Sequence, residues 1–182
     1  MDHAFPCGTL ALDFLGTLRA RRNEVPLEKL DSPALLDSWF VESRMLDEEP
    51  GSDLSDLAAA LELRESIYAL VEARRAGERL PAEAVAVVNR QAMKAPVLVQ
   101  LGPDGARRSG SAAQGLVAIA REAVEIVGGD DAALLRECGR PECTQVYLDR
   151  SRGHRREWCA MRTCGNRVKA SAYRARQRGS GD

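Results

Sequence analysis

Apolar positions recur three and four residues apart through most of this chain, and the gaps between those runs carry helix starts and stops. Leu35, Leu36, Trp39, Phe40 and Val41 form one stripe. Ser32 and Pro33 ahead of it read as N-cap and first turn. Leu54, Leu57, Leu61, Ile67, Leu70 and Val71 predict a longer helix from Ser52 or Asp53 to Arg75, with Gly77 as its C-cap. Ala84, Val87, Val88 and Gln91 predict a third helix opened by Leu80-Pro81 and closed by Pro96. Leu116, Ile119, Ala120, Ala123 and Val127 predict a fourth within Ser111 to Val127. Two stretches break this period. Leu10, Leu12 and Phe14 alternate with small or polar residues, which predicts a short strand or extended segment. The run Pro96 to Leu101, then Gly102-Pro103-Asp104-Gly105 and Ala106 to Ser109, predicts a β-hairpin. Gly128-Gly129 is the best boundary between two units, and Asp130 caps a short helix through Leu135 beyond it.

Only 4% of the 182 residues are aromatic, so the core is built from Leu, Val, Ile and Ala, which favours helices. No apolar run approaches the roughly 18–20 residues of a membrane span. The net charge of −1 hides an asymmetry. Residues 136–178 hold twelve Lys and Arg against four Asp and Glu, whereas the remainder holds 14 basic and 23 acidic residues. One unit is therefore suited to a polyanion and the other to a different task.

Four of the five cysteines stand in the basic unit as two Cys-x4-Cys pairs, Cys138/Cys143 and Cys159/Cys164. Each pair presents two thiolates from one turn, and two such turns make a closed tetrahedral site suited to one structural Zn²⁺. Gly139, Pro141 and Gly165 supply the turn chemistry. Two disulfides, or four ordinary buried thiols, are the alternatives. Met1 to Leu10 lacks a basic stretch followed by an apolar run, so a reducing cytoplasmic setting is expected and zinc is favoured over disulfides. Four thiolates leave no open position on the metal, which argues against zinc catalysis. His154 in its arginine-rich turn reads as a hydrogen-bonded or solvated side chain, not a ligand. Cys7 reads as a free, half-buried thiol, since His3 at the chain end is a poor base for it. No catalytic constellation stands out in the first 130 residues, and an enzyme is not expected.

The segment Trp158-Cys159-Ala160-Met161, then Cys164-Gly165-Asn166-Arg167 and a basic helix, resembles the C-G-N-R zinc finger found at the C-terminus of bacterial transcription regulators. Leu148-Asp149-Arg150-Ser151 and Arg155-Arg156 match the same pattern. Upstream, Leu12-Asp13-Phe14, Thr17, Arg19, Arg21, Arg22, Asp31, Leu35-Leu36 and Trp39 resemble the ABATE domain of stress-induced regulators. That family usually carries Asn where this chain has Gly16, so no role for such an amide carries over. The resemblance implies DNA-binding, transcription regulation and a stress response. The fold class expected is α+β, mainly α. It comprises an ABATE-like helical domain with a small β-hairpin over 1–130, a treble-clef-like zinc module of short strands and a C-terminal helix over 131–178, and a flexible tail over 179–182.

Within the finger, Val146-Tyr147-Leu148 reads as a strand, and Trp158 covers the metal site. On a wheel of the last helix, Val168, Ala172 and Ala175 fall on one stripe facing the zinc. Arg167, Arg174 and Arg178 line one flank, with Lys169, Tyr173 and Arg176 opposite the stripe. Residues 165–178 contain no acid, whereas an ordinary solvated helix mixes in Glu for i,i+4 pairs. With Arg150, Arg152, Arg155, Arg156 and Arg162 these side chains predict a phosphate-contacting surface. DNA is the expected partner. RNA binding, and a protein-interaction or ligand-sensing module with structural zinc, are the alternatives. A homo-oligomer and a small-molecule ligand in the N-terminal domain stay open.

Overall fold

The alternation at Leu10 to Phe14 resolves as a helix, α1 (Leu10–Leu15), and not as a strand. Its residues Ala11, Leu12, Asp13, Phe14 and Leu15 are all buried, so no solvent-facing side is left to mark a period of 3.6. Thr9 enters in an extended conformation, and Glu122 accepts the Ala11 amide at 2.6 Å, giving the helix a carboxylate at its positive end. Asp13, on the same helix, accepts the amides of Cys7 (2.9 Å) and Gly8 (3.2 Å) and so folds the preceding chain back. The computed structural model describes residues 3–140 and 142–179, and the side chains of 172, 175, 176, 178 and 179 lie outside the description.

After α1 come a short antiparallel pair, β1 (Leu18–Arg19) and β2 (Leu27–Glu28), then α2 (Pro33–Glu42), α3 (Leu54–Ala76) and α4 (Ala82–Ala92). The hairpin β3 (Leu98–Gly102) and β4 (Gly105–Ser109) follows, then α5 (Ala112–Gly128) and a 3-10 turn at Asp130–Leu134. The chain closes with the pair β5 (Leu135–Glu137) and β6 (Val146–Leu148), and with α6 (Asn166–Gly179). The architecture is α+β and mainly α, with strands only as two-stranded antiparallel pairs among the described residues.

Local chemistry explains the ends. Asp53 and Asp56 form a capping box on α3, as do Ser111 and Gln114 on α5. Gly77 takes the left-handed cap (φ 71°) that a side chain resists. Ser32 departs from expectation: its backbone is extended before α2, but its hydroxyl makes no capping bond. Leu54, read as part of the α3 stripe, faces solvent, and the buried face is Leu57, Ala60, Leu63, Ile67, Leu70 and Val71. Both faces of the β3–β4 hairpin are exposed, and Asp47 anchors its base through reciprocal bonds with Arg108.

Trp39 centres the core, with Phe14 at 5.1 Å, Phe40 at 5.8 Å and Phe5 at 5.9 Å between ring centroids. His3 is not frayed. It is buried, its ring nitrogen 3.0 Å from the Leu35 carbonyl and its amide bonded to Glu42. A second anchor is Arg64, 3% exposed, whose guanidinium holds both Glu28 oxygens (2.6 and 2.7 Å) and the Thr17 hydroxyl (3.1 Å). This ties the β1–β2 loop to α3. The same core takes in Leu135, Val146 and Leu148 of the last strand pair.

Burial pushes the Asp13 carboxyl up to about 6, against the Cys7 and Gly8 amides that pull it down. A raised carboxyl favours the protonated folded form, so its contribution is complete below about pH 4 and is lost as pH rises through the folded value. Asp13→Asn should abolish about 2–3 kcal/mol of the fall in unfolding free energy between about pH 4 and about pH 7. Denaturant melts of the two proteins at both pH values check this, and parallel pH dependences would sink the assignment.

Candidate metal centre

The C-terminal module of the chain folds around sulfur. Cys138 follows β5, Cys143 precedes β6, and their loop is closed by the Cys138 amide on Gln145 O (3.0 Å) and the Cys143 amide on Arg140 O (2.8 Å). Cys159 stands just before the tight turn Met161–Gly165 that leads into α6, and Cys164 lies within it. The four Sγ atoms lie within 4.8 Å of one another, with Cys143 to Cys159 at 3.9 Å and Cys159 to Cys164 at 3.6 Å. None is disulfide-bonded. Tetrahedral zinc with Zn–S bonds of about 2.3 Å needs sulfurs about 3.8 Å apart, so the cluster fits the ion.

Electrostatics agree. The Cys159 thiol donates to Cys143 and holds it down at about 5, while Cys159 itself is pushed up by that bond, by burial and by its neighbours' charge. Burial also raises Cys138, although the amides of Cys159 and Arg140 point at its sulfur. Four thiolates this close repel one another and call for a cation between them. Cys138, Cys143, Cys159 and Cys164 form one structural zinc site, in which the metal's chemistry is to bind two loops into one fold.

The surroundings fix those loops. Tyr147 is fully buried against the cysteines, its hydroxyl donating to Arg156 O at 2.5 Å. Trp158 packs on the same cluster and runs alongside Gly139 and Gly165, as a cover for the site would. Asp149, also fully buried, accepts the amides of Ser151 (3.0 Å) and Arg156 (3.1 Å), and the Ser151 hydroxyl holds its carboxyl below the ordinary range. His154 takes a left-handed backbone (φ 50°) and places Nδ1 2.8 Å from Asp149 O, away from the ligand set.

Residues 8–130 match the family described as "Putative stress-induced transcription regulator", ABATE, and residues 135–177 match the CGNR zinc finger. The chain belongs to the ABATE family. No curated protein matches it. The ABATE residues noted in the sequence acquire structural roles: Asp13 folds the chain before α1, Thr17 bonds Arg64, and Arg21 lies 4.0 Å over the Tyr68 ring while pairing with Glu65. Arg22 reaches across to Glu137 of the finger.

The cations proposed as phosphate contacts divide. Arg152, Arg155, Arg162, Arg167, Lys169 and Arg174 are exposed, as is Tyr173. Arg150 is exposed but pairs with Asp131 at 2.6 Å. Arg156 is turned inward: it lies 4.4 Å over the Tyr147 ring and donates to the carbonyls of Trp158 (2.8 Å) and Cys159. The Arg176 and Arg178 side chains lie outside the described residues, as do Pro141 and the side chains of Ala172 and Ala175. Val168, on the same stripe, is half-buried.

Sequence reading missed Gln145. Its amide crosses from the finger to α1, donating to Leu12 O (2.7 Å) and to Cys7 Sγ (3.2 Å), and Cys7 in turn donates to Val146 O (3.1 Å). Burial and Asp13 push the Cys7 thiol up, so it stays protonated as that donor. A Cβ at Gly16 would stand 2.1 Å from Gln145 Oε1, which is why this position has no side chain. The signal was present only as the odd glycine after Leu15.

Two outcomes follow. Purified protein should carry one zinc per chain, and chelation should unfold the finger and expose Leu135, Val146 and Leu148. Near-ultraviolet dichroism of Trp158 and Tyr147 reads this, and an unchanged spectrum after metal removal would refute the structural role. Gly16→Ala should cost about 1–3 kcal/mol by overpacking. Added to Gln145→Ala it should cost far less, a coupling that denaturant melts of the double-mutant cycle measure.

Proposed function

We propose that this chain is a zinc-stabilised transcription regulator that lays α6 and the adjoining 150–162 loop along the backbone of duplex DNA. The observation that carries the reading is charge without partners. Arg167, Lys169 and Arg174 are exposed on a helix whose residues 165–178 include no acid, and none of the three has an ion-pair partner among the described residues. Arg152 and Arg155 adjoin them, lining with Lys169 and Trp158 a groove of about 490 Å³. Such a surface suits phosphates, which fix position on a duplex without reading its sequence. Arg156 and Arg150 serve this reading indirectly, by holding the loop that presents their neighbours.

The role is one of binding, not catalysis, since the closed four-cysteine site leaves the metal no position for substrate. Among the described residues no helix is long and apolar enough to cross a membrane, and reduced thiols fit a cytoplasmic regulator. The exposed Tyr173 favours a second reading, in which an unpaired RNA base stacks on the helix.

The test is fluorescence anisotropy of a labelled random duplex at several salt concentrations. Binding should weaken steeply with salt, and the triple change Arg167, Lys169 and Arg174→Ala should lower the logarithmic slope by about 2–3. Tighter binding to single strands, with loss on Tyr173→Ala, would move the assignment to RNA. Absence of binding by zinc-loaded protein at low salt would end both readings.

A further inference from the structure

A cleft of about 560 Å³ opens directly on the zinc site, where the β1–β2 loop faces the finger, with Cys143, Cys159 and Cys164 in its floor. Its volume is that of a small-molecule site. Four cations line it: Arg19 and Lys29 from the loop, Arg140 from between the first two cysteines, and Arg167 from the first turn of α6. Pro6, Ala20 and Leu27 supply an apolar wall.

The charges do not cancel. Arg140 pairs with Glu142 at 2.5 Å and donates to the Cys164 sulfur, so it is committed. Arg19, Lys29 and Arg167 have no carboxylate within ion-pair distance among the described residues. Zinc with four thiolates carries two negative charges. Together with Glu142 these leave the cleft one positive charge in excess. Arg19 and Lys29 are moreover half-buried on a loop held rigidly by the Arg64–Glu28 pair, so their charges are partly desolvated and fixed in place. The Arg19 Nε is occupied by Gly16 O at 3.1 Å, which aims the rest of the guanidinium. The positive end of α6, a 14-residue helix, adds to the same field.

We propose that this cleft binds a small organic monoanion, a carboxylate on an apolar body, gripped jointly by Arg19 and Lys29 of the helical domain and Arg167 of the finger. The carboxylate sits among the three cations and the apolar body lies on Pro6, Ala20 and Leu27. Such a ligand bridges the two units beside α6, so its occupancy reaches the basic helix through Arg167. Binding itself needs no nucleic acid, and the proposal stands or falls separately from the DNA reading.

The experiment uses the full zinc-loaded chain, labelled for amide NMR and titrated with benzoate and hexanoate beside their uncharged amides, benzamide and hexanamide. The expected result is saturable shifts at Ala20, Asn23, Lys29 and Arg167 with either carboxylate, small shifts with the amides, and unchanged zinc content. Arg19→Gln with Lys29→Gln should weaken carboxylate binding about tenfold or more. Arg167→Gln, at an exposed position that leaves folding intact, should weaken it in the same direction. The proposal is overturned if neither carboxylate gives saturable shifts, if the amides bind equally well, or if the charge variants leave affinity unchanged. Shifts confined to Arg152, Arg155 and Lys169 would likewise overturn it, as anions condensing on the other basic face.

Discussion

Strand β6 has no solvent face. Val146 and Leu148 point into the helical core, while Tyr147 between them points into the cysteine cluster. Alternation along a strand places successive side chains on opposite sides, so three residues suffice to join two cores. The metal draws Cys138 and Cys143 toward Cys159 and Cys164 and thereby shapes the hairpin. The hairpin then completes the apolar surface left open by α1 and α3. Burying each of Leu135, Val146 and Leu148 is worth about 2 kcal/mol, so the helical part gains from the finger as the finger gains from zinc. A module of this size needs the metal to fold, and the packing makes the rest of the chain share that dependence.

Polar contacts reinforce the junction where apolar ones end. Gln145 fills the volume vacated at Gly16, and Glu137 receives Arg22 at 2.5 Å and Arg75 at 3.0 Å. Each partner comes from a different part of the helical domain: the β1–β2 loop, the end of α3, and the turn after α1. The finger is thus held, through Glu137 and Gln145, by three separate parts of the helical domain. Arg19 and Lys29 face it across a cleft of fixed shape.

How much of this was legible depended on the range of the cause. The helix starts at Asp53 and Ser111, the left-handed Gly77 and the Pro103-Asp104 turn rest on causes within four residues, and they lie where the chain pattern puts them. The zinc ligands were equally plain, because spacing and residue type specify a closed sulfur site. Helix α1 was misread because a segment enclosed on all sides loses the periodicity that marks one buried face. Arg64, Gln145 and the cationic cleft were invisible for another reason. Their partners stand 36, 133 or more than a hundred positions away in sequence, and nothing local distinguishes a buried arginine from a solvated one.

The surplus of basic residues in the finger is therefore not one quantity. Arg140 offsets thiolate charge, Arg156 clamps two carbonyls over an aromatic ring, and Arg150 answers Asp131. These three are spent on the fold. Arg152, Arg155, Arg162, Lys169 and Arg174 have no such employment among the described residues; Arg152, Arg155 and Lys169 line Trp158's groove, and Arg174 lies on α6. Arg167 stands between the two regimes, at the start of α6 and on the lip of the cleft. An anion held there would compete with a phosphate for the same guanidinium. On the proposed reading, a charge shared by a phosphate-contacting helix and a ligand cleft couples the two electrostatically without any movement of the backbone.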